Sequence, residues 1–193
     1  MIRSLARATV LLAALAVASP ALAEEKAASD TKAQVGIGVS IDAFDFAGLA
    51  ITNRLPTNQI YVPINIGVLR IEPSLGYFSY DEDAGGSGSS LFLGVGGFYV
   101  MKPAPAFNYY AGARIGFNFV NLKNTGGATA SGTDFRLAAA VGGEWMATPR
   151  FSLGAEAQFG RTGYGQLESA GVVIQPAVSS VNTVGLVFVR FYP

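Results

Sequence analysis

The chain has 193 residues, half of them hydrophobic and only 13% charged, and its mean hydropathy is +0.37. This composition is too apolar for the charged surface of an ordinary soluble domain, yet no internal segment offers the roughly 20 unbroken apolar residues that a membrane-spanning helix requires. Because the sequence contains no cysteine and no histidine, it lacks the residues for a disulfide framework, a thiolate metal site and the most common catalytic base, and we expect neither an enzyme nor a cofactor or metal site.

The first 23 residues predict a cleaved signal peptide. Arg3 and Arg7 give a positive start, ATVLLAALAVA supplies an apolar core, and Ala21-Leu22-Ala23 forms a cleavage site of the A-x-A type. An uncleaved anchor helix is the alternative, but the apolar run is shorter than the roughly 20 residues that span a membrane. We therefore expect the mature chain to begin at Glu24.

Residues 24–32, EEKAASDTK, are polar and without periodicity, which predicts a flexible lead-in. Without Arg3 and Arg7 the chain keeps 11 basic against 13 acidic residues, a net charge of −2. Nucleic-acid-binding proteins carry basic patches, so this near neutrality argues against a nucleic-acid partner.

From residue 33 to the C-terminus, apolar residues alternate with small or polar ones in about eight segments. A period of two is the signature of a strand with two different faces. The segments are QVGIGVSID (34–42), IYVPINI (60–66), LRIEPSLGYFSY (69–80), SLFLGVGGFYVM (90–101), FNYYAGARIGFNFVN (107–121), DFRLAAAVGGEWM (134–146), FSLGAEAQFG (151–160) and VGLVFVRFY (184–192).

The connections between these segments alternate in length. Short ones lie at 67–68, 103–106 and 147–150, and long polar or glycine-rich ones at 44–58, 81–90, 123–133 and 165–180. Short turns on one rim and long loops on the other are typical of an up-and-down meander of hairpins. In bacterial barrels the short turns face the periplasm.

The less apolar face of the strands decides between two kinds of barrel. In a soluble barrel that face would meet water and be rich in charge, but here it is mostly glycine, alanine, serine, asparagine and aromatic residues. A few ionic residues are scattered along it, and we expect them to form a polar network in the lumen: Arg70, Glu72, Arg114, Arg136, Glu144, Glu156 and Arg190. The apolar face is then left to contact lipid.

Aromatic residues beside the short turns fit the same orientation. Amphipathic rings collect at membrane interfaces, and five residues form the predicted periplasmic aromatic girdle: Tyr99, Phe107, Tyr109, Trp145 and Phe151. The core of a soluble β-sandwich would also show aromatic residues in alternation, and it remains an alternative.

The signal peptide, the polar lead-in, the two-faced strands and the aromatic-bearing last strand, VGLVFVRFYP, resemble the small outer-membrane β-barrel proteins of Gram-negative bacteria, of the OmpA transmembrane domain and OmpX type. The likeness covers essentially the whole mature chain. It implies an all-β, eight-stranded antiparallel up-and-down transmembrane β-barrel at residues 33–193, located in the cell outer membrane. It also implies contact with outer-membrane lipids and insertion by the outer-membrane assembly machinery, and we expect a monomer. The chain departs from the family in ending on Phe191-Tyr192-Pro193, where the family usually ends on Phe or Trp.

Three functions stay open at this point. An eight-stranded barrel is just filled by its own side chains, which favours a structural or surface-interaction protein that acts through long extracellular loops. A narrow channel or transporter for a small solute is the first alternative, and a secreted, soluble lipocalin-like ligand-binding barrel is the second. The acidic stretch Asp81-Glu82-Asp83 lacks the spacing of an EF-hand, so we expect it to be an exposed loop tip.

Overall fold

The computed structural model describes residues 33–45, 58–81 and 86–193. The predicted signal peptide and lead-in, most of the predicted loop at 44–58, and Glu82 and Asp83 lie outside the described residues. Among the residues described, no helix is long and apolar enough to cross a membrane.

The described residues form twelve strand segments. They are β1 (Gln34–Val35), β2 (Ile37–Asp45), β3 (Asn58–Tyr61), β4 (Ile64–Ile66), β5 (Leu69–Asp81), β6 (Ser87–Ala104), β7 (Phe107–Lys123), β8 (Thr129–Thr148), β9 (Phe151–Tyr164), β10 (Leu167–Ser169), β11 (Val172–Gln175) and β12 (Val178–Phe191).

These segments close into an eight-stranded antiparallel barrel, as the sequence predicts. Neighbours along the chain pair with each other from β5 to β9, β9 pairs with β12, and β12 returns to β2, with Phe191 opposite Ile37. The segments β1 and β2 act as one barrel strand, and so do β3 and β4. The interruption of the second strand falls beside Pro63, which has no N–H to donate to the ladder. The remaining pair, β10 and β11, forms a hairpin attached to β8 through Glu168 and Ser131.

The two predicted faces are present on the long strands. On β7, Ile115 is 40% exposed, whereas its neighbour Arg114 is 8% exposed, and the alternation continues along most of the strand. Apolar side chains, many aromatic ones among them, therefore point outward, whereas small and ionic side chains and a smaller set of aromatic rings point inward, the reverse of a soluble barrel.

One end of the barrel carries the tight turns that the sequence predicts. They are Gly67-Val68, Pro105-Ala106 and Pro149-Arg150. Gly67 has a φ of +60°, in the left-handed region that glycine tolerates best. At the third turn, Thr148 Oγ1 accepts hydrogen bonds from the backbone N–H groups of Arg150 and Phe151, at 3.2 and 3.0 Å.

At the opposite end, which we call the outer end because the short turns of bacterial barrels face the periplasm, the strands continue further than the sequence predicts. Of the predicted loop at 123–133, only Asn124–Ala128 separates β7 from β8. The predicted loop at 165–180 contains the β10–β11 hairpin, and β6 already begins at Ser87. About ten residues of a tilted strand cross the membrane, so these outer ends extend past the lipid. An apolar face is not required there, which is why the alternation that marks strands in the sequence fades.

Candidate functional site: the barrel interior

Six of the seven ionic residues predicted for the lumen meet in one cluster in the interior. Arg70 and Glu72 come from β5, Arg114 from β7, Glu144 from β8, Glu156 from β9 and Arg190 from β12. All six are buried. Each lies on the inward-facing row of its strand, so closure of the barrel is what brings residues from distant parts of the chain together. We call these six residues the ionic cluster.

Arg114 lies between two glutamates. Its Nη2 atom donates to Glu72 Oε1 at 2.5 Å and to Glu156 Oε2 at 2.8 Å, while its Nε atom donates to Glu156 Oε1 at 2.6 Å. Glu156 also accepts hydrogen bonds from Tyr110 Oη at 2.9 Å and Gln158 Nε2 at 2.6 Å. The Glu156 carboxylate is therefore fully engaged by donors from β7 and β9.

Arg190 connects Glu72 to the other half of the cluster. Its Nη2 atom donates to Glu72 Oε2 at 2.6 Å, and its Nη1 atom lies 3.5 Å from Glu144 Oε2. Glu144 Oε2 also accepts from Arg70 Nη2 at 2.7 Å. A continuous chain of ion pairs thus runs from Glu156 through Arg114, Glu72, Arg190 and Glu144 to Arg70.

Uncharged side chains add hydrogen bonds near the short-turn end. Glu144 Oε1 accepts from Ser152 Oγ at 2.6 Å and from Tyr192 Oη at 2.9 Å. Arg70 Nε donates to Asn65 Oδ1 at 2.7 Å. Tyr192, next to the last residue, therefore reaches back into the lumen and ties the C-terminus to the cluster.

The ionic cluster contains three arginines and three glutamates, so its formal charge is zero. A lone charge buried in a protein costs several kcal/mol even after relaxation, and that penalty is offset only when the charge is well paired and hydrogen bonded. Matched numbers and short contacts pair every charge of the cluster, while Arg70 Nη1, Arg114 Nη1 and Arg190 Nε are buried without a hydrogen-bond partner among the described residues. Removing any one member leaves an excess charge in a closed space.

Aromatic rings cover the guanidinium groups. Arg114 Cζ lies 4.8 Å from the ring centroids of both Tyr61 and Phe98, and Arg190 Cζ lies 3.9 Å from that of Phe188. A cation over an aromatic face is attracted by the ring quadrupole, more strongly when water is excluded. The rings therefore stabilise the arginines as well as fill space.

Glycines make room for these rings on the inward face. A Cβ atom at Gly142 would collide with the ring of Tyr110, and one at Gly154 with the ring of Phe188. The interior alternates large aromatic side chains with glycines on neighbouring strands. This complementary packing leaves little space at the level of the ionic cluster.

The seventh predicted residue, Arg136, lies outside the ionic cluster. It is buried on β8, closer to the outer end, near Asp134 on the same inward face. Between Arg136 and Arg114 is a cavity of about 10 Å³, room for about one water molecule. Its lining includes Gln59, Ser74, Phe92, Gly116 and Gln158.

Sequence reasoning did not select several residues that the structure places in this interior. Asp134 is fully buried, and its Oδ1 atom accepts from the backbone N–H of Gly165 at 3.1 Å. The sequence could have indicated Asp134, because this acidic residue stands two residues before Arg136 on the inward row. Tyr110, Tyr192 and Ser152 carry no charge, and nothing in the alternation distinguishes them from space-filling residues.

A small apolar cluster lies above the polar interior at the outer end. Leu167 on β10 packs with Val120 and Ala130, and Leu122 contacts them. The hairpin thus folds an apolar side chain over the extended parts of β7 and β8.

Within the described residues, no group of three or more acidic, histidine or cysteine side chains could hold a metal ion.

The five residues of the predicted girdle all lie on the outward face near the short turns. Tyr99 is 53% exposed and Phe107 pairs directly with Trp145 across β7 and β8. Phe191, which the sequence analysis did not include, pairs with Phe151 at the same end. On the outward face nearer the other end, Phe117 and Phe135 are register partners with ring centroids 5.4 Å apart.

Comparison with known proteins agrees with this architecture. The family model described as "Outer membrane protein beta-barrel domain" matches residues 9–176. No curated protein sequence matches the chain. Among solved structures, the chain is similar to Ail, the attachment invasion locus protein of Yersinia pestis, in its complex with the heparin analogue sucrose octasulfate. The TM-score is 0.55 at 12% sequence identity, and the match covers 83% of this chain and 96% of Ail. Neisserial surface protein A has a TM-score of 0.50 at 15% identity, covering 82% of this chain and 93% of its own.

At such identities the structural likeness supports the fold alone, while the family match spans most of the sequence. The chain therefore belongs to the outer membrane protein β-barrel domain family, and it is a protein of the outer membrane.

Proposed function

We propose that this protein is an outer-membrane barrel with a closed lumen, whose role is structural or is exercised through its outer surface. The single observation that carries the proposal is the ionic cluster, in which three arginines and three glutamates join five strands across the interior. An outer-membrane location leaves no place for the secreted soluble barrel.

The contacts of the cluster favour closure over conduction. For an ion to pass, Arg114 or Arg190 would have to leave its glutamates, and both are held from two sides. Their guanidinium groups would also leave the rings of Phe98 and Phe188. Buried charge pairs broken in this way cost about 3–5 kcal/mol each, which makes spontaneous opening rare.

The outer ends of the strands provide a surface for interaction. β8 has 20 residues and β7 has 17, whereas about 9–11 residues of a tilted strand cross the hydrocarbon. The residues of β7 and β8 beyond this number lie at the outer end. The β10–β11 hairpin pairs with β8 at the same end. Ail, described as an attachment protein, and Neisserial surface protein A share this fold, which adds support to a surface role for this chain.

A narrow channel is the second candidate, and the water-sized cavity between Arg114 and Arg136 is the observation in its favour. Such a path would need the cavity to connect through the ionic cluster to the short-turn end. Phe98, Tyr110 and Phe188 pack at that level, so the path would require these rings to move as well.

Liposome swelling separates the two candidates. Proteoliposomes containing the purified barrel are diluted into isotonic solutions of sugars of increasing size, with a large water-filled porin as the positive control. A closed lumen predicts no swelling above that of protein-free liposomes for any sugar. Swelling that falls with increasing solute size would support the channel and overturn the closed lumen.

A further inference from the structure

Arg161 is an unusual residue on the outward face of the barrel. The outward row of β9 is otherwise apolar or glycine, from Phe151 to Gly163. Among the described exposed side chains of the eight barrel strands, the other charged ones, Asp81, Lys102 and Lys123, stand at or near strand ends. A charge on the lipid-facing row needs either water or a counter-charge within reach.

The position of Arg161 along β9 sets its depth in the membrane. It lies ten residues beyond Phe151, which stands at the short-turn end. A rise of about 3.3 Å per residue and a tilt of about 40° place it roughly 25 Å from that end. Because the apolar band of such barrels is also about 25 Å tall, Arg161 stands at the outer edge of the hydrocarbon, beside the lipid headgroups.

The side chain of Arg161 points away from the hydrocarbon. Its register partner on β12 is Val181, but its Nη2 atom donates to Ser179 Oγ, 3.1 Å away and one outward-facing position nearer the outer end. The long aliphatic stem therefore lies along the strand while the guanidinium reaches toward the headgroups. Long basic side chains at membrane interfaces commonly adopt this arrangement.

An open space lies beside the guanidinium. Gly163, the register partner of Ser179, has no side chain, and a Cβ atom there would meet nothing nearer than the Phe135 carbonyl oxygen at 4.0 Å. Phe159 lies below it on the same outward row, 63% exposed. The result is a shallow niche with a cation and a hydroxyl at its upper side and apolar surface beneath.

We propose that this niche, formed by Arg161, Ser179 and Gly163, binds a phosphate group of an outer-leaflet lipid. The guanidinium has donors left for two phosphate oxygens in a fork geometry, and the Ser179 hydroxyl can donate its own proton to a third oxygen. Phe159 and its apolar neighbours face the first methylenes of the acyl chains. The niche thus matches a headgroup phosphate that is attached to a hydrophobic tail, and it does not depend on whether the lumen is closed.

Native mass spectrometry of the folded barrel in detergent micelles tests this site. The probes are a phosphorylated glucosamine-disaccharide glycolipid of the lipid A type, the same glycolipid without phosphate, and inorganic phosphate. We expect the wild type to retain the phosphorylated lipid in preference to the dephosphorylated one. Arg161→Gln should weaken that binding about fivefold, the amount expected for one basic residue at a lipid surface, whereas Lys123→Gln, a basic residue at a strand end, should change it less than twofold.

If Arg161→Gln folds poorly, two further variants test the same site. Arg161→Lys keeps the charge without the fork and should show an intermediate loss, and Ser179→Ala should show a smaller one. Equal retention by the wild type and Arg161→Gln would overturn the proposal, and so would an equal loss in Lys123→Gln. Inorganic phosphate that binds as tightly as the phosphorylated lipid would show that the tail contributes nothing and would overturn the lipid assignment.

Discussion

Arg114 and Glu72 meet across Gly96, which is the register partner of both residues on the strand between them. The guanidinium Nη2 lies 2.5 Å from Glu72 Oε1, although β5 and β7 do not pair with each other. A side chain at Gly96 would stand between the two charges. A position without a side chain on β6 therefore allows the central ion pair of the lumen to form.

The Gly96 position gives a first prediction. Gly96→Ala should lower the free energy of unfolding by about 1–3 kcal/mol, the usual cost of overpacking a dense interior, because the new Cβ would press on the Phe98 ring and lie 3.1 Å from Arg114 Nη1. The measurement is urea unfolding in detergent micelles, followed by the gel mobility of unboiled samples. Gly97→Ala is the matched control, since a Cβ there meets nothing within 4 Å. Equal stability of the two variants would contradict the packing described for Gly96.

Glu72 is the only glutamate in the ionic cluster that pairs with both Arg114 and Arg190. Glu72→Gln should lower the free energy of unfolding by about 3 kcal/mol, since it leaves a positive charge in excess inside the barrel. The same urea series measures it. Glu168→Gln, on the exposed hairpin, should stay within about 0.5 kcal/mol of the wild type, as expected for a surface position. A loss of similar size in both variants would mean that the buried pairs do not set the stability.

Tyr192 provides a test of how the C-terminus is held. Its hydroxyl donates to Glu144 and accepts from Arg70 at 3.3 Å. Tyr192→Phe should cost about 1.5 kcal/mol of unfolding free energy, a typical value for a hydrogen bond to a charged group. Tyr99→Phe, which removes a hydroxyl from the exposed girdle, should be close to neutral. No difference between them would show that the Tyr192 hydroxyl adds no stability.

The orientation of the barrel can be read in intact cells. The chain has no cysteine, so single cysteines give clean labelling sites. Val173→Cys on the outer hairpin should react with a membrane-impermeant maleimide in intact cells, because Val173 is 49% exposed. Arg150→Cys at a short turn should react only after the outer membrane is permeabilised. The reverse pattern would place the short turns outside.

The sequence predicted the strand faces because lipid imposes a strict rule on them. Ile115 and Arg114 were assigned to opposite faces from alternation alone, and the structure confirms the assignment. The alternation also placed Arg70 and Glu144 on inward rows. Their pairing could not be predicted, because they are 74 residues apart and meet only through the strand register and stagger of the closed barrel.

The alternation of apolar and polar residues is no longer required where a strand extends beyond the lipid. Residues 129–133 were assigned to a loop, yet they form the start of β8, since a strand above the membrane needs no apolar face. Asp134 was missed although it begins a predicted alternating segment and stands two residues before Arg136 on the inward row. The turn at Asn124–Ala128, with Gly127 at a φ of +81°, is the part of that loop that remains.

The closed lumen is tested most directly by single-channel recording. The wild type and Glu72→Gln are reconstituted into planar bilayers, with insertion checked by the gel mobility of protein recovered from the same preparation and a water-filled porin as the conducting control. A lumen sealed by charges and rings together predicts no discrete current steps for either protein, since the aromatic packing remains when one charge is neutralised. Regular, ion-selective steps in the wild type, altered in size by Glu72→Gln, would contradict a sealed lumen and show that ions pass through the ionic cluster.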